Sequence, residues 1–234
     1  MNLLRAAKGK VIITPPPGTP MAGNIRSDNK SRGVHDDLFC SIIILSDGST
    51  KICFLDFDLI GLEYSTCNEI RTRISECTDI PSSNVMIWAT HTHSGPNVGA
   101  AHDTINKEEV DASIASLEYR KFLVEQCVAS AVQAWEGRVP GRIGIAATKV
   151  MELGRNRRRL LYGGLHPDPE VAVIKVEDAN GKLLGVGFNY GCHPSGIDWH
   201  NTLFTEDWPY YAMQGIKKAV GPDVWTAFYQ SAEG

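Results

Sequence analysis

Two turn dipeptides, Asp47-Gly48 and Asn180-Gly181, each join a pair of apolar segments. Such dipeptides favour the tight turn of a β-hairpin, so each pair of segments is predicted to form neighbouring antiparallel strands. Amphipathic segments typical of helices occupy the intervals between the predicted strands. A chain with both features cannot fold around a purely parallel sheet. The sequence therefore predicts an α/β fold in which one or more mixed β-sheets are layered with amphipathic helices.

The predicted elements alternate along the chain. Strands are expected at 11–14, 39–46, 51–60, 84–90, 142–149, 171–177, 183–190 and 224–229. Helices are expected at 64–77, 117–135 and 208–220, where apolar residues recur every three or four positions. The last helix is predicted to begin after Asp207, because aspartate caps helix N-termini. Without an internal repeat or a long linker, residues 1–234 are expected to form a single domain.

Composition excludes several classes of protein. A hydrophobic content of 43% with a net charge of -4 is not typical of a disordered chain. A pI near 6.0 disfavours nucleic acid as a partner. No apolar run reaches the roughly 18 residues of a membrane-spanning helix. The apolar stretch at the N-terminus is too short for a secretory signal, so a cytoplasmic location is expected. No Cys-x-x-Cys pair is present, which disfavours a thiolate zinc site.

A pair of histidines marks the end of one predicted strand. His91 and His93 stand two residues apart, where the strand opens into a loop that contains Gly95 and Pro96. Side chains alternate along a strand, so both imidazoles are expected on the same side. Ligands of α/β proteins bind at strand ends, and neutral imidazole is a common zinc ligand. A simpler interpretation is a polar pair on an exposed strand end, since two histidines do not complete a tetrahedral site.

A third histidine follows another predicted strand. His193 comes directly after the strand at 183–190 and precedes Pro194 and Ser195. Strands that end at one edge of a sheet would bring His193 close to His91 and His93, and this convergence predicts a metal site. The alternative is a core histidine whose nitrogens are satisfied by hydrogen bonds.

Charged residues near these strands are further candidates. Asp56 and Asp58 lie in an otherwise apolar run, where a carboxylate must be paired or hydrogen-bonded. One of them is a candidate to orient a ligand imidazole, although an edge-strand carboxylate facing water would also fit. Arg157 lies in the basic run at 155–159, and its guanidinium could bind an oxyanion or a carboxylate near a metal. A solvated charged loop is the alternative for this run. Nucleic-acid binding is disfavoured there, because no aromatic residues are interleaved with the charges.

Several motifs occur together in a familiar order. They are Ile13-Thr14-Pro15-Pro16 with Met21-Ala22-Gly23, then Gly33-Val34-His35-Asp36-Asp37-Leu38, then Ala89-Thr90-His91-Thr92-His93-Ser94-Gly95-Pro96. This series resembles the N-terminal catalytic region of the neutral/alkaline (non-lysosomal) ceramidase family. The His-Thr-His-Ser-Gly-Pro block is the most specific part of the likeness, which runs from about residue 9 to residue 234.

The resemblance implies a zinc amidase that cleaves the N-acyl bond of ceramide into sphingosine and a fatty acid. By resemblance, the zinc ligands are His91 and His193, the catalytic residues are His93 and Arg157, and the nearby acidic residues are Asp58 and Asp207. The cofactor implied is Zn²⁺, which makes a water molecule nucleophilic near neutral pH. His93 would protonate the leaving amine or stabilise the oxyanion with the help of Arg157. The substrate implied is ceramide or another N-acyl amide.

The sequence also departs from the family pattern. Arg158 stands where the family usually has serine, and Pro194-Ser195 follows the second histidine where Gly-Thr is frequent. The family's glutamate and tyrosine zinc ligands, and a Gly-Asp turn with an active-site serine, lie further downstream. The chain is therefore expected to be the N-terminal part of a catalytic domain truncated at its C-terminal end. Two alternatives stay open, a catalytically incomplete domain and a related metallohydrolase acting on a smaller amide or ester.

Overall fold

Strands and helices alternate along the chain. The structure, a computed structural model, describes residues 4–24, 28–98, 114–151, 153–156 and 167–232. Its strands are β1 (Arg5–Ile12), β2 (Gly33–Val34), β3 (Phe39–Ser46), β4 (Lys51–Phe57), β5 (Val85–Ala89), β6 (Val139–Lys149), β7 (Glu170–Asp178), β8 (Leu183–Tyr190), β9 (Leu203–Phe204) and β10 (Trp225–Gln230). Its α-helices are α1 (Tyr64–Cys77), α2 (Ile114–Glu136) and α3 (Trp208–Val220). Within these residues no helix is both long enough and apolar enough to cross a membrane.

The strands form a mixed sheet. Among the described residues, eight strands are joined in the order β10-β8-β7-β6-β1-β3-β4-β5, and β2 pairs separately with β9. The β3–β4 and β7–β8 pairs are antiparallel, as the two turn dipeptides predict. The β4–β5 and β8–β10 pairs are parallel, with α1 and α3 in the connections between their strands. The predicted α/β fold with a mixed sheet and helices is therefore confirmed.

The sheet folds back on itself, so the described elements form four layers. Helices α1 and α2 cover one face of β3 and β4, where Ile42, Leu55 and Leu123 are fully buried. On the opposite face of β3, Ile43 belongs to a buried cluster with Trp225 of β10, a strand distant in the sheet order. Helix α3 packs against β8 and β10 on the far side. Full burial of each such side chain contributes about 1.5–3 kcal/mol to folding.

The first strand differs from the prediction. A strand was expected at 11–14, but β1 covers Arg5–Ile12 and pairs with β3 along its whole length. The reason is that Lys8 and Lys10 interrupt the apolar pattern. The ammonium group of Lys10 nevertheless lies 4.0 Å from the centre of the Phe39 ring, on the neighbouring strand β3. Strand β4 also ends earlier than expected, at Phe57 rather than Ile60.

The C-terminal ends of β5, β8 and β10 meet at one rim of the folded sheet. The side chain of Gln230, the last residue of β10, bonds the backbone just beyond β5 and just beyond β8. Because β5 is an edge strand and β8 lies next to the opposite edge, this meeting depends on the fold of the sheet. The rim carries the predicted histidines.

Candidate metal centre

His91, His93 and His193 lie together at this rim. The ring centres of His91 and His193 are 4.6 Å apart, those of His93 and His193 are 4.6 Å apart, and those of His91 and His93 are 5.2 Å apart. One ring nitrogen from each residue lies within 4.8 Å of the other two, and all three side chains are half-buried. The structure thus brings together two histidines that follow β5 and one that follows β8.

The conformation of His91 is set by the residues that follow β4. Its backbone N–H donates to the Leu59 carbonyl at 2.9 Å, and its Nδ1 lies 2.7 Å from the Ile60 carbonyl oxygen. A carbonyl oxygen only accepts, so Nδ1 carries the proton and Nε2 is the nitrogen whose lone pair can bind a metal. His91 has a φ of 68°, which is rare outside glycine. The two histidines therefore meet through a turn, rather than through the strand alternation that the spacing predicts.

His93 is held from two directions. Its backbone N–H donates to the Pro194 carbonyl at 3.3 Å, which links the two histidine loops. Its Nδ1 lies 3.4 Å from Asn24 Oδ1, and Asn24 Nδ2 donates to the His93 carbonyl at 3.4 Å. The backbone of Gly23 runs against the ring, since a Cβ there would lie 2.6 Å from His93 Cα. The segment before Asn24 thus forms one wall of the site.

The closest approach in the cluster suits a cation. Nε2 of His193 lies 2.6 Å from Nε2 of His93. Two unprotonated nitrogens at that distance would repel each other through their lone pairs, so a proton or a metal ion must lie near them. Three imidazole nitrogens are a donor set typical of catalytic zinc, and a backbone carbonyl fixes His91 as it does many zinc-bound histidines. The residues present therefore fit a zinc ion.

Asp207 supports the loop that follows His193. Its carboxylate accepts hydrogen bonds from Gly196 N at 2.9 Å, Ile197 N at 2.8 Å and Trp208 N at 2.6 Å. The last of these bonds caps helix α3, as predicted. The residue is 1% exposed. Asp207 thus holds backbone amides near the histidine cluster, and its described hydrogen bonds are not with an imidazole.

Asp58 lies beneath the cluster, at the end of β4. One of its carboxylate oxygens accepts from Phe39 N at 2.8 Å. Burial is the main cause that raises the pKa of Asp58 to about 7. The described hydrogen bond of the Asp58 carboxylate is therefore with a backbone N–H and not with an imidazole. Asp58 acts on the site only indirectly, because it fixes the turn that presents the Leu59 and Ile60 carbonyls to His91.

Further acidic side chains are buried nearby. Burial raises the pKa of Asp56 and of Glu206 well above the ordinary values, and neighbouring carboxylates add to the increase. A Glu206 oxygen lies 4.0 Å from the ammonium nitrogen of Lys10. Asp36 accepts hydrogen bonds from the Thr205 hydroxyl at 2.5 Å and from Glu206 N at 2.7 Å. This group connects β1 and β4 to the segment that leads into α3.

Arg157 lies outside the described residues, so its predicted place near the metal stays a prediction. The sequence pattern also missed two amides that contact the site. Gln230 donates from Nε2 to the Thr90 carbonyl at 3.3 Å and to the Cys192 carbonyl at 3.0 Å. A polar residue at the end of an apolar strand was the available signal, as it was for the histidines. Asn24 follows no predicted element, and nothing in its local sequence distinguishes it.

The chain is similar to ceramidases in sequence. A family model described as neutral/alkaline non-lysosomal ceramidase, N-terminal, matches residues 8–232. The neutral ceramidase of Pseudomonas aeruginosa is 24% identical over 208 residues, which cover 82% of this chain and 30% of that protein. The neutral ceramidase of Drosophila pseudoobscura pseudoobscura is 24% identical over 232 residues, which cover 92% of this chain and 32% of that protein.

Solved structures show the same fold. The crystal structure of neutral ceramidase from Pseudomonas aeruginosa superposes with a TM-score of 0.83 at 23% identity, covering 100% of this chain and 39% of that one. A ceramidase complexed with C2 gives a TM-score of 0.83 at 23% identity, covering 100% of this chain and 38% of that one. The chain thus spans between 30% and 32% of the length of the curated relatives named above.

Proposed function

The chain belongs to the neutral/alkaline non-lysosomal ceramidase family, and on that premise we propose that it provides the zinc-binding part of an amide hydrolase acting on ceramide. The reaction would cleave the N-acyl bond with water, giving a free amine and a carboxylic acid. The observation that carries the proposal is the meeting of His91, His93 and His193, with His93 Nε2 and His193 Nε2 2.6 Å apart.

His91 and His193 are the residues proposed to hold the zinc ion. Nε2 of His91 is the nitrogen proposed to bind the metal, because Nδ1 faces the Ile60 carbonyl. His193 contributes from the other loop, and one ring nitrogen of each of the three histidines lies within 4.8 Å of the other two. A bound zinc ion supplies Lewis acidity, which makes water nucleophilic near neutral pH and polarises an amide carbonyl.

His93 is the residue proposed to move a proton. Its Nδ1 faces Asn24, so Nε2 is the nitrogen that points into the cluster. In this position Nε2 can accept a proton from the attacking water and pass it to the nitrogen of the departing amine, which would otherwise leave as an unstable anion. Arg157 is proposed to stabilise the negative charge that develops on the carbonyl oxygen.

A second candidate is a domain that binds metal but does not turn over substrate by itself. The supporting observation is that, among the described residues, the cluster that could hold a metal consists of three histidines without a carboxylate. A related hydrolase acting on a smaller amide or ester is the remaining alternative. Both share the histidine cluster and differ in the product formed.

The proposal is tested by measuring zinc content and hydrolysis together. The purified protein, reconstituted with Zn²⁺, is assayed on ceramide and on a short N-acyl amine side by side. We expect about one zinc per chain in the wild type, and loss of zinc and hydrolysis in His91→Ala and in His193→Ala. The matched control is His200→Ala, since His200 is exposed and bonds Asp198 away from the cluster.

The combination of zinc content and hydrolysis distinguishes the three functions. Zinc with ceramide hydrolysis supports the proposal, and zinc with hydrolysis of only the short amide supports the smaller-substrate alternative. Zinc without any turnover supports the incomplete domain. Unchanged zinc content in both histidine variants contradicts the assignment of the metal site itself.

A further inference from the structure

The carboxamide of Gln230 donates hydrogen bonds to the two segments that connect β5 and β8 to their histidines. Gln230 Nε2 donates to the Cys192 carbonyl at 3.0 Å and to the Thr90 carbonyl at 3.3 Å. Thr90 directly precedes His91, and Cys192 directly precedes His193. The same group therefore holds the residue before each proposed zinc ligand.

The orientation of this amide is fixed by a third bond. Gln230 Oε1 accepts a hydrogen bond from Ser231 N at 3.2 Å, so the NH₂ group must face the two carbonyl oxygens. Both hydrogens of the NH₂ group can then be used, one for each carbonyl. The side chain is half-buried, and burial strengthens such bonds by excluding competing water.

The sheet itself does not make this connection. In the described residues β10 pairs with β8, while β5 lies at the other end of the strand order and pairs with β4. Beyond the histidines, His93 N bonds the Pro194 carbonyl. On the side that precedes the histidines, Gln230 links the same two loops through the Thr90 and Cys192 carbonyls. The spacing of the two loops is thus fixed on both sides of the cluster.

We propose that Gln230 is a positioning residue that sets the separation of His91 and His193, and hence the geometry of the metal site. This inference rests on the proposed function, because it concerns the same three histidines. It adds a residue without metal-binding chemistry of its own, whose effect passes through the backbone of Thr90 and Cys192.

The test compares Gln230→Met with a matched variant, Asn189→Leu, in the full chain. Methionine keeps the length of glutamine but has no N–H donor. Asn189 is a fair control because its Nδ2 also donates across the β8–β10 pair, to the Tyr229 carbonyl at 2.8 Å. It is also half-buried, and this bond does not touch either histidine loop. Both variants lose side-chain N–H donors to backbone carbonyls, but only Gln230→Met loses the hydrogen bonds to the carbonyls that precede His91 and His193.

Two measurements are made on each variant. The first is the Kd for Co²⁺ with the visible absorption spectrum of the bound cobalt, which reports coordination geometry. We expect Gln230→Met to raise the Kd about 10-fold and to change the spectrum, and Asn189→Leu to leave both near wild type. The second is amide hydrogen exchange without metal, where we expect faster exchange in both histidine loops of Gln230→Met alone.

The outcomes separate this inference from the proposed function. A wild-type chain that binds no Co²⁺ contradicts the metal site, and the exchange measurement then decides the role of Gln230 by itself. A Gln230→Met chain with wild-type Kd, spectrum and exchange contradicts the inference while leaving the metal site standing. If Gln230→Met does not fold, Gln230→Glu replaces it and is judged by exchange alone, since it lacks the donors but keeps the shape.

Discussion

The two histidine loops are held in different ways. The loop that follows β5 is fixed from several sides: Thr92 and Ser94 are buried, the Thr92 hydroxyl donates to the Thr205 carbonyl at 2.8 Å, and Ala22 N donates to the Gly95 carbonyl at 3.0 Å. The loop that follows β8 is more open, because Ser195 and Gly196 are exposed. Its amides at Gly196 and Ile197 bond the single carboxylate of Asp207.

This contrast predicts that the two loops differ in their sensitivity to the loss of one interaction. The first loop is preorganised by many modest interactions, so the loss of one leaves the others in place. In the second loop one buried carboxylate, that of Asp207, accepts from three backbone amides, and its removal leaves those donors unpaired together. We therefore expect substitutions around the second loop to have the larger effects.

The largest expected effect is that of Asp207→Ala. It removes the acceptor of Gly196 N, Ile197 N and Trp208 N, so we expect a loss of about 3 kcal/mol in the free energy of unfolding, measured in urea. The zinc affinity should fall as well, since His193 starts this loop. Asp198→Ala is the control, because Asp198 is an exposed carboxylate in the same loop. Equal losses in both variants would contradict the comparison.

The next effect concerns the wall behind His93. Gly23 and Gly18 have φ angles of 89° and 94°. A Cβ at Gly23 would collide with His93, whereas a Cβ at Gly18 would have no described atom within 4 Å. Alanine should cost about 1 kcal/mol at Gly18 from backbone strain alone. At Gly23 we expect about 2 kcal/mol, together with a lower kcat for amide hydrolysis. A Gly23→Ala enzyme with the kcat of Gly18→Ala would show that His93 tolerates the contact.

A smaller effect is expected at the first loop. Thr92→Val keeps the shape of the side chain but removes the bonds to the Thr205 carbonyl and from Ser94 N. We expect a loss of about 1.5 kcal/mol in the free energy of unfolding, half that of Asp207→Ala, with zinc affinity nearly unchanged. Urea unfolding and zinc titration check both values. A loss greater than that of Asp207→Ala would reverse the ranking of the two loops.

The remaining expected effect depends on pH and concerns Asp58, which directly follows β4. Burial raises the pKa of Asp58 from 3.8 to about 7, so in this range the folded chain keeps a proton that the unfolded chain has released. The contribution of Asp58 to stability is therefore complete below pH 3.8 and is lost as the pH rises through about 7. We expect Asp58→Asn to be more stable than wild type at pH 8 and equal to it in acid, as measured by urea unfolding.

Asp47→Asn provides a control of opposite sign for this measurement. Backbone N–H donors from Thr50 and Ser49 lower the pKa of Asp47, a carboxylate in an exposed turn. Its contribution to stability is present at neutral pH and is lost as the pH falls through the lowered value. Urea unfolding between pH 3 and pH 8 should therefore show the Asp47→Asn and Asp58→Asn differences with opposite signs. The same sign in both would contradict the role assigned to burial at Asp58.

Local sequence pattern predicts much of this fold. Helices α1 and α3 have the bounds expected from apolar spacing and from the cap at Asp207, and both turn dipeptides form hairpins. These features depend on interactions between residues close in the chain. Strand β1 was misplaced because Lys8 and Lys10 hide its apolar pattern, and only pairing with β3 identifies it.

The site was predictable in its residues but not in its supports. His91, His93 and His193 stand at strand ends, where the general rule for α/β proteins looks for ligands. The groups that fix them are a carbonyl at Ile60 and the amide of Gln230, distant in sequence from the histidines they serve. No local pattern encodes such contacts, since the first arises when β4 pairs with β5 and the second when the sheet folds back on itself.

Because the sheet folds back on itself, substitutions distant from the histidines are expected to change the metal site. β5 and β10 are the two margins of one sheet, yet the rings of Trp88 and Tyr229 lie 5.6 Å apart. The distance between the imidazoles of His91 and His193 therefore depends on how strongly the sheet curves. Ala6 and Ala227 are both buried between the two layers of the sheet. We expect a bulky substitution at either position to push β5 and β10 apart and to weaken metal binding without changing a ligand.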